Sequence, residues 1–205
     1  AVDLSPEMLA QARRAARRQG LGNIEFRCAS GDELVDPDGS FDAVTCRWGL
    51  MFMADPASFL RKMHALLRPG KRVCLACWQK PEDVPFTSLL KQVTQKYVSL
   101  PELPVDAPGM FRFADPDRLR ALLSQAGFAR VELDTVRFDY IKVKTAQDYV
   151  AIMRDISASL RDALARVDER TRRALLDDAK NSVEAYRVGG EIRVGGSTWI
   201  AWGES

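Results

Sequence analysis

The chain has 205 residues, room for one ordinary domain with a full core. Its 46% hydrophobic and 28% charged content fits a folded globular protein and excludes a disordered one. A net charge of +2 gives no electrostatic case for nucleic acid or an anionic membrane as the main partner.

The one histidine and four cysteines leave little for a metal centre. Cys74 and Cys77 are spaced as Cys-x-x-Cys but lie in an apolar, strand-like run. Strand residues three apart point to opposite faces, so neither a redox pair nor a metal half-site is supported. No apolar run approaches the ~20 residues needed to span a bilayer. No signal-peptide pattern is visible, and a reducing cytoplasm is the expected location.

The chain opens on Ala1-Val2-Asp3-Leu4-Ser5-Pro6-Glu7-Met8-Leu9. This reads as the end of a buried strand handing over to a helix, with Ser5 as cap, Pro6 at the first position and Glu7 in the first turn. Met8, Leu9, Ala12, Ala15 and Ala16 give its apolar face, Arg13, Arg14, Arg17 and Arg18 a solvated basic stripe, and Gly20 or Gly22 its stop. Asn23 to Ala29 alternates with period two and predicts a strand, ending at the turn Ser30-Gly31-Asp32-Glu33. After the loop Asp36 to Ser40 come a strand over Phe41 to Cys46 and an apolar loop, Arg47 to Met53. Asp55-Pro56 starts a helix closed by Arg68-Pro69-Gly70, and Val73 to Trp78 is a continuous apolar strand. This alternation predicts a doubly wound α/β sheet with right-handed crossovers.

From Lys80 the composition changes. Prolines at 81, 85, 101, 104 and 108 bracket a helix over Phe86 to Val98, and residues 81–113 read as an insertion or lid over the sheet. A helix from Asp115-Pro116 to Ala126-Gly127-Phe128 precedes a long strand, Val131 to Tyr140. Residues 145–186 form a helical insertion, expected as one helix over Thr145 to Ala165 and a second over Asp168 to Tyr186. The last strand, Ile192 to Trp202, is expected to be interrupted at Gly195-Gly196. No internal repeat or second domain is visible in residues 1–205.

Four motifs in order, Val2 to Leu9, Gly31-Asp32, Gly39 to Val44 and Leu67-Arg68-Pro69-Gly70, resemble the motif set of class I S-adenosylmethionine-dependent methyltransferases. The branch they resemble is the ubiquinone/menaquinone-biosynthesis-like group of small-molecule enzymes. The resemblance implies a mostly parallel Rossmann-like sheet with an antiparallel C-terminal strand, and S-adenosylmethionine as cofactor. It implies that Asp3 holds the ribose hydroxyls, that Leu4 and Met8 pack on adenine, and that Gly31, Asp32 and Glu33 line the adenine amino group. Arg47 would lie near the methionine half, and Trp48, Phe52, Phe111 and Phe113 would wall an apolar pocket for a small-molecule acceptor. The plainer alternatives are a helix-leading acid at Asp3, a turn acid at Asp32, a core methionine at Met8 and ordinary packing for the aromatics.

The resemblance also implies a glycine-rich loop and a first strand and helix ahead of Ala1, which the sequence does not contain. The expectation is therefore a piece of a longer methyltransferase. The alternative is a non-catalytic binding or scaffold domain on an incomplete methyltransferase fold. No side chain stands out as a catalytic base, His64 reads as a packing or surface residue, and oligomeric state is not legible.

Overall fold

A computed structural model describes every residue except Glu102, Leu103 and Val105. Part of the segment expected to form a lid over residues 81–113 therefore lies outside the described residues. The order is β1 (Val2–Asp3), α1 (Pro6–Arg18), β2 (Arg27–Cys28), β3 (Phe41–Arg47), α2 (Pro56–Leu66), β4 (Leu67–Trp78), α3 (Pro85–Gln95), α4 (Pro116–Gln125), β5 (Ala129–Val143), α5 (Ala146–Ile156), α6 (Ala158–Ala165), α7 (Glu169–Val183), β6 (Arg187–Val188) and β7 (Glu191–Glu204).

The strands fall into two hydrogen-bonded sets. β1 pairs with β2 in parallel. The larger set has the order β3-β4-β7-β5, with β3 and β4 parallel and β7 antiparallel to both β4 and β5. β6 adds a short antiparallel pairing to the start of β7. The fold is thus α/β, parallel in the first half and closed by antiparallel C-terminal strands. Among the described residues, β1 and β3 each have one strand partner.

One face of the larger sheet carries the core. Val73, Leu75, Cys77 and Ala201 are all at 0% exposure there, packed in the same cluster as Phe59, Leu60 and Met63 of α2 and Leu119 and Leu123 of α4. These helices start as their sequences dictate: Asp55 accepts from the Ser58 amide at 2.9 Å and Asp115 from the Asp117 amide at 2.9 Å, each followed by proline. His64 lies inside this layer, its ring 5.0 Å from Phe128 in an edge-to-face contact. A Cβ on Gly127, where φ is +102°, would come within 3.3 Å of that imidazole.

Several expected boundaries shift: β4 begins at Leu67 and takes in the Arg68-Pro69-Gly70 expected to close α2, and three other changes have a local reason. The strand expected over Asn23 to Ala29 pairs only at Arg27–Cys28, because its one partner, β1, is two residues long. The helix expected over Thr145 to Ala165 breaks at Ser157, whose extended backbone and hydroxyl cap a new helix by accepting from the Leu160 amide at 3.2 Å. Gly195-Gly196 does not interrupt β7. A Cβ on Gly195 would stand 2.6 Å from the Phe138 carbonyl oxygen, and one on Gly196 would stand 3.1 Å from the Trp78 ring. The pair lets β5 and the Trp78 side chain approach, which is a packing role for glycine inside a strand.

The β1–β2 corner is held by charge as well as by backbone. Arg27 donates to both oxygens of Asp36, at 2.8 and 2.7 Å, and to Glu25 at 2.7 Å. Hydrogen bonding to Arg27 holds both carboxyls below the usual range. A depressed folded pKa stabilises above the unfolded value and is lost as pH falls through the folded one. Protection of the Arg27 and Cys28 amides, taken relative to the intrinsic exchange rate at each pH, is therefore expected to fall below about pH 4 before that of β4 does; β4 losing protection first would contradict this.

Candidate functional site

The carboxyl end of β1 presents an acid whose role in the fold uses only one of its oxygens. Asp3 Oδ1 accepts from the Ser5 amide at 2.8 Å, and the other carboxylate oxygen has no protein donor among the described residues. Ser5 Oγ accepts from the Met8 amide at 3.1 Å and donates to Glu7 at 2.9 Å. The backbone amide of Glu7, and then Ser5, hold the Glu7 carboxyl below its ordinary range. With Pro6 fixing the start of α1, Leu9 turns inward at 2% exposure while Leu4 and Met8 stand 71% and 59% exposed. Met8 is therefore not a core residue. Asp3, Leu4 and Met8 are thus all exposed at this strand-to-helix junction.

Parallel pairing of Asp3 with Cys28 puts the turn after β2 at the same sheet edge as Asp3. Cys28 Sγ lies 3.7 Å from the Leu4 carbonyl across that junction. In this turn, Gly31–Glu33, the Ser30 hydroxyl contacts Asp32 and the Ser30 amide donates to Glu33 at 3.1 Å. Glu33 thus closes a capping box. Gly31 has a packing reason to be glycine, since a Cβ there would meet the Phe59 ring at 2.5 Å. Of the three residues expected to line the adenine, Glu33 has a role in the turn and Gly31 one in packing against Phe59.

At the end of β3 the backbone is strained. Trp48 has φ +56°, rare for a bulky side chain. Its amide donates to Ala76 at 3.0 Å and its indole Nε1 to Thr198 Oγ1 at 3.2 Å. Its ring stacks on Trp78, with centroids 4.3 Å apart and planes at 12°. Arg47 lies with its guanidinium 5.1 Å over the Trp48 ring. Phe86, Phe138 and Tyr140 complete the cluster, with Tyr140 stacked on Phe86 at 4.2 Å and 42% exposed.

The four expected acceptor-pocket aromatics are not brought into one wall. Phe52 is 58% exposed and Phe111 half-buried. Phe113 is only 2% exposed, with Arg112 and Arg118 each 5.6 Å from its ring centre. Phe113 is a core side chain, without an open face for a ligand. Sequence reasoning missed Trp78, Phe138 and Tyr140 as partners of Trp48, and Phe86 as the partner of Trp78 and Tyr140. The signal was present in part, since residues 138 and 140 share a face of an alternating strand.

The loop before α4 is bound to the loop after β3. The Gly109 amide donates to Met51 at 3.0 Å and Arg112 Nη1 to the Met53 carbonyl at 2.6 Å. The buried thiols offer no nucleophile here. Burial pushes Cys46 up and pushes Cys77 up to about 12.

Residues 1–75 match the family model described as a methyltransferase domain. That match takes in β1, β2, β3 and most of β4. It is 30% identical over 142 residues to the ubiquinone/menaquinone biosynthesis C-methyltransferase of Cronobacter sakazakii, an alignment covering 63% of this chain and 56% of that one. The Escherichia coli enzyme of the same description aligns at 30% identity over 141 residues, 64% of this chain and 56% of the relative. The chain thus spans little more than half the length of these curated relatives. Among solved structures, the YcgJ protein of Bacillus subtilis superposes with a TM-score of 0.57 at 18% identity, covering 100% of this chain and 80% of that one. The [4+2]-cyclase SpnF does so with a TM-score of 0.53 at 18% identity, covering 99% and 65%. At such identity these structures speak for the fold alone, and SpnF's own description shows that the fold does not fix the reaction.

Proposed function

We propose that the domain takes part in methyl transfer from S-adenosylmethionine to a small apolar or aromatic acceptor. The observation that carries this reading is the β1 edge: an exposed acid with a free oxygen, flanked by exposed Leu4 and Met8, beside the Asp32 turn. A carboxylate at the carboxyl end of a parallel strand is suited to ribose hydroxyls, and the two apolar side chains are suited to a purine face. The C-methyltransferase descriptions of the relatives support methyl transfer over other uses of such an edge. Displacement at a sulfonium methyl is in-line, so positioning supplies most of the acceleration and no residue is assigned as a base. Half-buried Trp48 and Phe111 support an apolar acceptor.

The activity is proposed for the protein with a glycine-rich segment in place. The free edges of β1 and β3 support a further strand at that position. The same edges equally suit a scaffold that docks other chains without cofactor, so binding decides between them. Titration of the 205-residue chain with S-adenosylhomocysteine and, separately, with NAD is expected to give saturable shifts with the first only. Preference for NAD, or binding of neither at millimolar concentration, would count against the reading.

A further inference from the structure

Two backbone irregularities on different strands deliver aromatic side chains to one place. Trp48, the first residue after β3, has the left-handed φ of +56°, a strained conformation of the kind that collects at functional sites. Tyr140 is the extra residue of a bulge in β5. Asp139 pairs with Gly195 and Ile141 with Val194, which leaves Tyr140 without a partner on β7. The Trp48 and Tyr140 rings meet edge to face with centroids 6.0 Å apart, and both border Trp78. Trp78 and Phe86 are buried, Trp48 is half-buried and Tyr140 exposed, so the cluster has a closed base and an open margin. That margin stands at the carboxyl end of a parallel strand, where open α/β sheets bind ligands. It also adjoins the nucleotide edge, since a Cβ on Gly31 would lie 3.5 Å from the methyl of Met53, in the loop that Trp48 opens.

The plate is fixed from within. The Trp48 indole N–H is held by Thr198 Oγ1, its inner face lies on Trp78, and the Phe86 carbonyl accepts from buried Tyr149 at 3.2 Å. The polar group over its outer face is free to move. The Arg47 guanidinium is exposed and has neither an ion pair nor a hydrogen bond among the described residues. An exposed contact between a cation and an aromatic face is weak, so the guanidinium can swing aside and stand at the edge of a flat ligand that covers the ring. Three ligand chemistries fare differently here. A cation is repelled by Arg47 and finds no cage, because the rings stack on one another at 4.3 and 4.2 Å instead of enclosing a void. A neutral arene gains the ring contact alone. An aromatic carboxylate gains the ring contact and the planar, two-pronged pairing that a guanidinium gives a carboxylate.

We propose that the methyl acceptor is a planar aromatic carboxylate, its ring lying on Trp48 beside Tyr140 and its carboxylate paired with Arg47. This names the acceptor class of the methyl-transfer reading above and rests on that reading. It narrows an apolar or aromatic acceptor to an acidic one, and it makes Arg47 the residue that sets the preference.

The test uses the 205-residue chain and three naphthalene probes of similar size: naphthoate, its neutral amide and the corresponding naphthylmethyl ammonium ion. The readout is the indole N–H resonance of Trp48, identified by its loss in Trp48→Phe or, if that variant does not fold, by its Overhauser contact with Thr198. Naphthoate is expected to move this resonance and to bind at least about fivefold tighter than the amide, as one exposed ion pair allows. In Arg47→Gln the ratio should fall to about twofold or less while the amide keeps its affinity. Position 47 is exposed, and circular dichroism checks that the variant folds. Addition of S-adenosylhomocysteine to the same sample reads the nucleotide edge separately. Equal binding of acid and amide, preference for the ammonium ion, an unmoved Trp48 indole, or a preference that survives Arg47→Gln would overturn the proposal, while cofactor shifts at Asp3 would still stand. Naphthoate binding at Trp48 with no response at Asp3 to S-adenosylhomocysteine would overturn it through the reading on which it rests.

Discussion

Truncating Leu75 to alanine is expected to lower the unfolding free energy by about 3 kcal/mol or more, whereas the same truncation at Ile200 should cost about 1 kcal/mol or less. The two side chains lie on neighbouring strands, and Ala76, the residue after Leu75, pairs with Ile200. What separates them is the face. Leu75 is at 0% exposure among Leu60, Met63 and Leu119, so its loss leaves a cavity that helices on one side and strands on the other keep open. Ile200 points to the opposite face and is only half-buried, so water fills much of the space its truncation leaves. Urea denaturation of the two variants measures the difference directly. Equal large losses would mean that both faces are sealed in solution, as by self-association. Equal small losses would mean that the α2–α4 layer is not packed as described.

Asp3→Asn is expected to weaken S-adenosylhomocysteine binding by about 10- to 100-fold with no measurable loss of stability, because a charged acceptor to two hydroxyls is replaced by a neutral one. The substitution is informative because it separates the two jobs of the side chain. Asparagine keeps the Oδ1 that accepts from the Ser5 amide at 2.8 Å, so the entry to α1 remains capped. Only the oxygen without a protein partner changes character. Calorimetry or line-shape titration of wild type and variant reads the affinity, and thermal denaturation reads the stability. Unchanged affinity would remove Asp3 from the site. A large fall in melting temperature would make it a structural acid of the strand-to-helix turn.

Much of this arrangement was legible in the order of residues because its signals are local. Ser5-Pro6, Asp55-Pro56 and Asp115-Pro116 each start a helix through a cap and a fixed φ, and all three do so in the structure. The apolar run Val73 to Trp78 is a strand because every second residue faces a covered side. Non-local features were less legible. Whether Met8 or Leu9 turns inward depends on the phase set by Pro6 and on what lies beneath the helix. The role of Gly31 is set by Phe59, 28 positions away, and that of Gly195-Gly196 by Phe138, Trp78 and Phe86. The Trp48 cluster gathers residues from two strands, the loop after β3 and a helix. Its positive φ could not be read from a sequence in which tryptophan is an unexpected residue for that conformation. Phe113 was read as a pocket wall because an aromatic in a proline-rich loop offers no sign of which side it will face.

The central claim is that the carboxyl edge of β1 and β2 is a nucleoside-binding surface. Amide chemical-shift mapping of the 205-residue chain during addition of S-adenosylhomocysteine tests it most directly, because it reports weak binding and its location together. The prediction is a contiguous set of shifts at Asp3, Leu4, Met8 and the Gly31–Glu33 turn, saturating with ligand and abolished by Asp3→Ala. Shifts confined to other parts of the chain, or none at millimolar ligand, would contradict it.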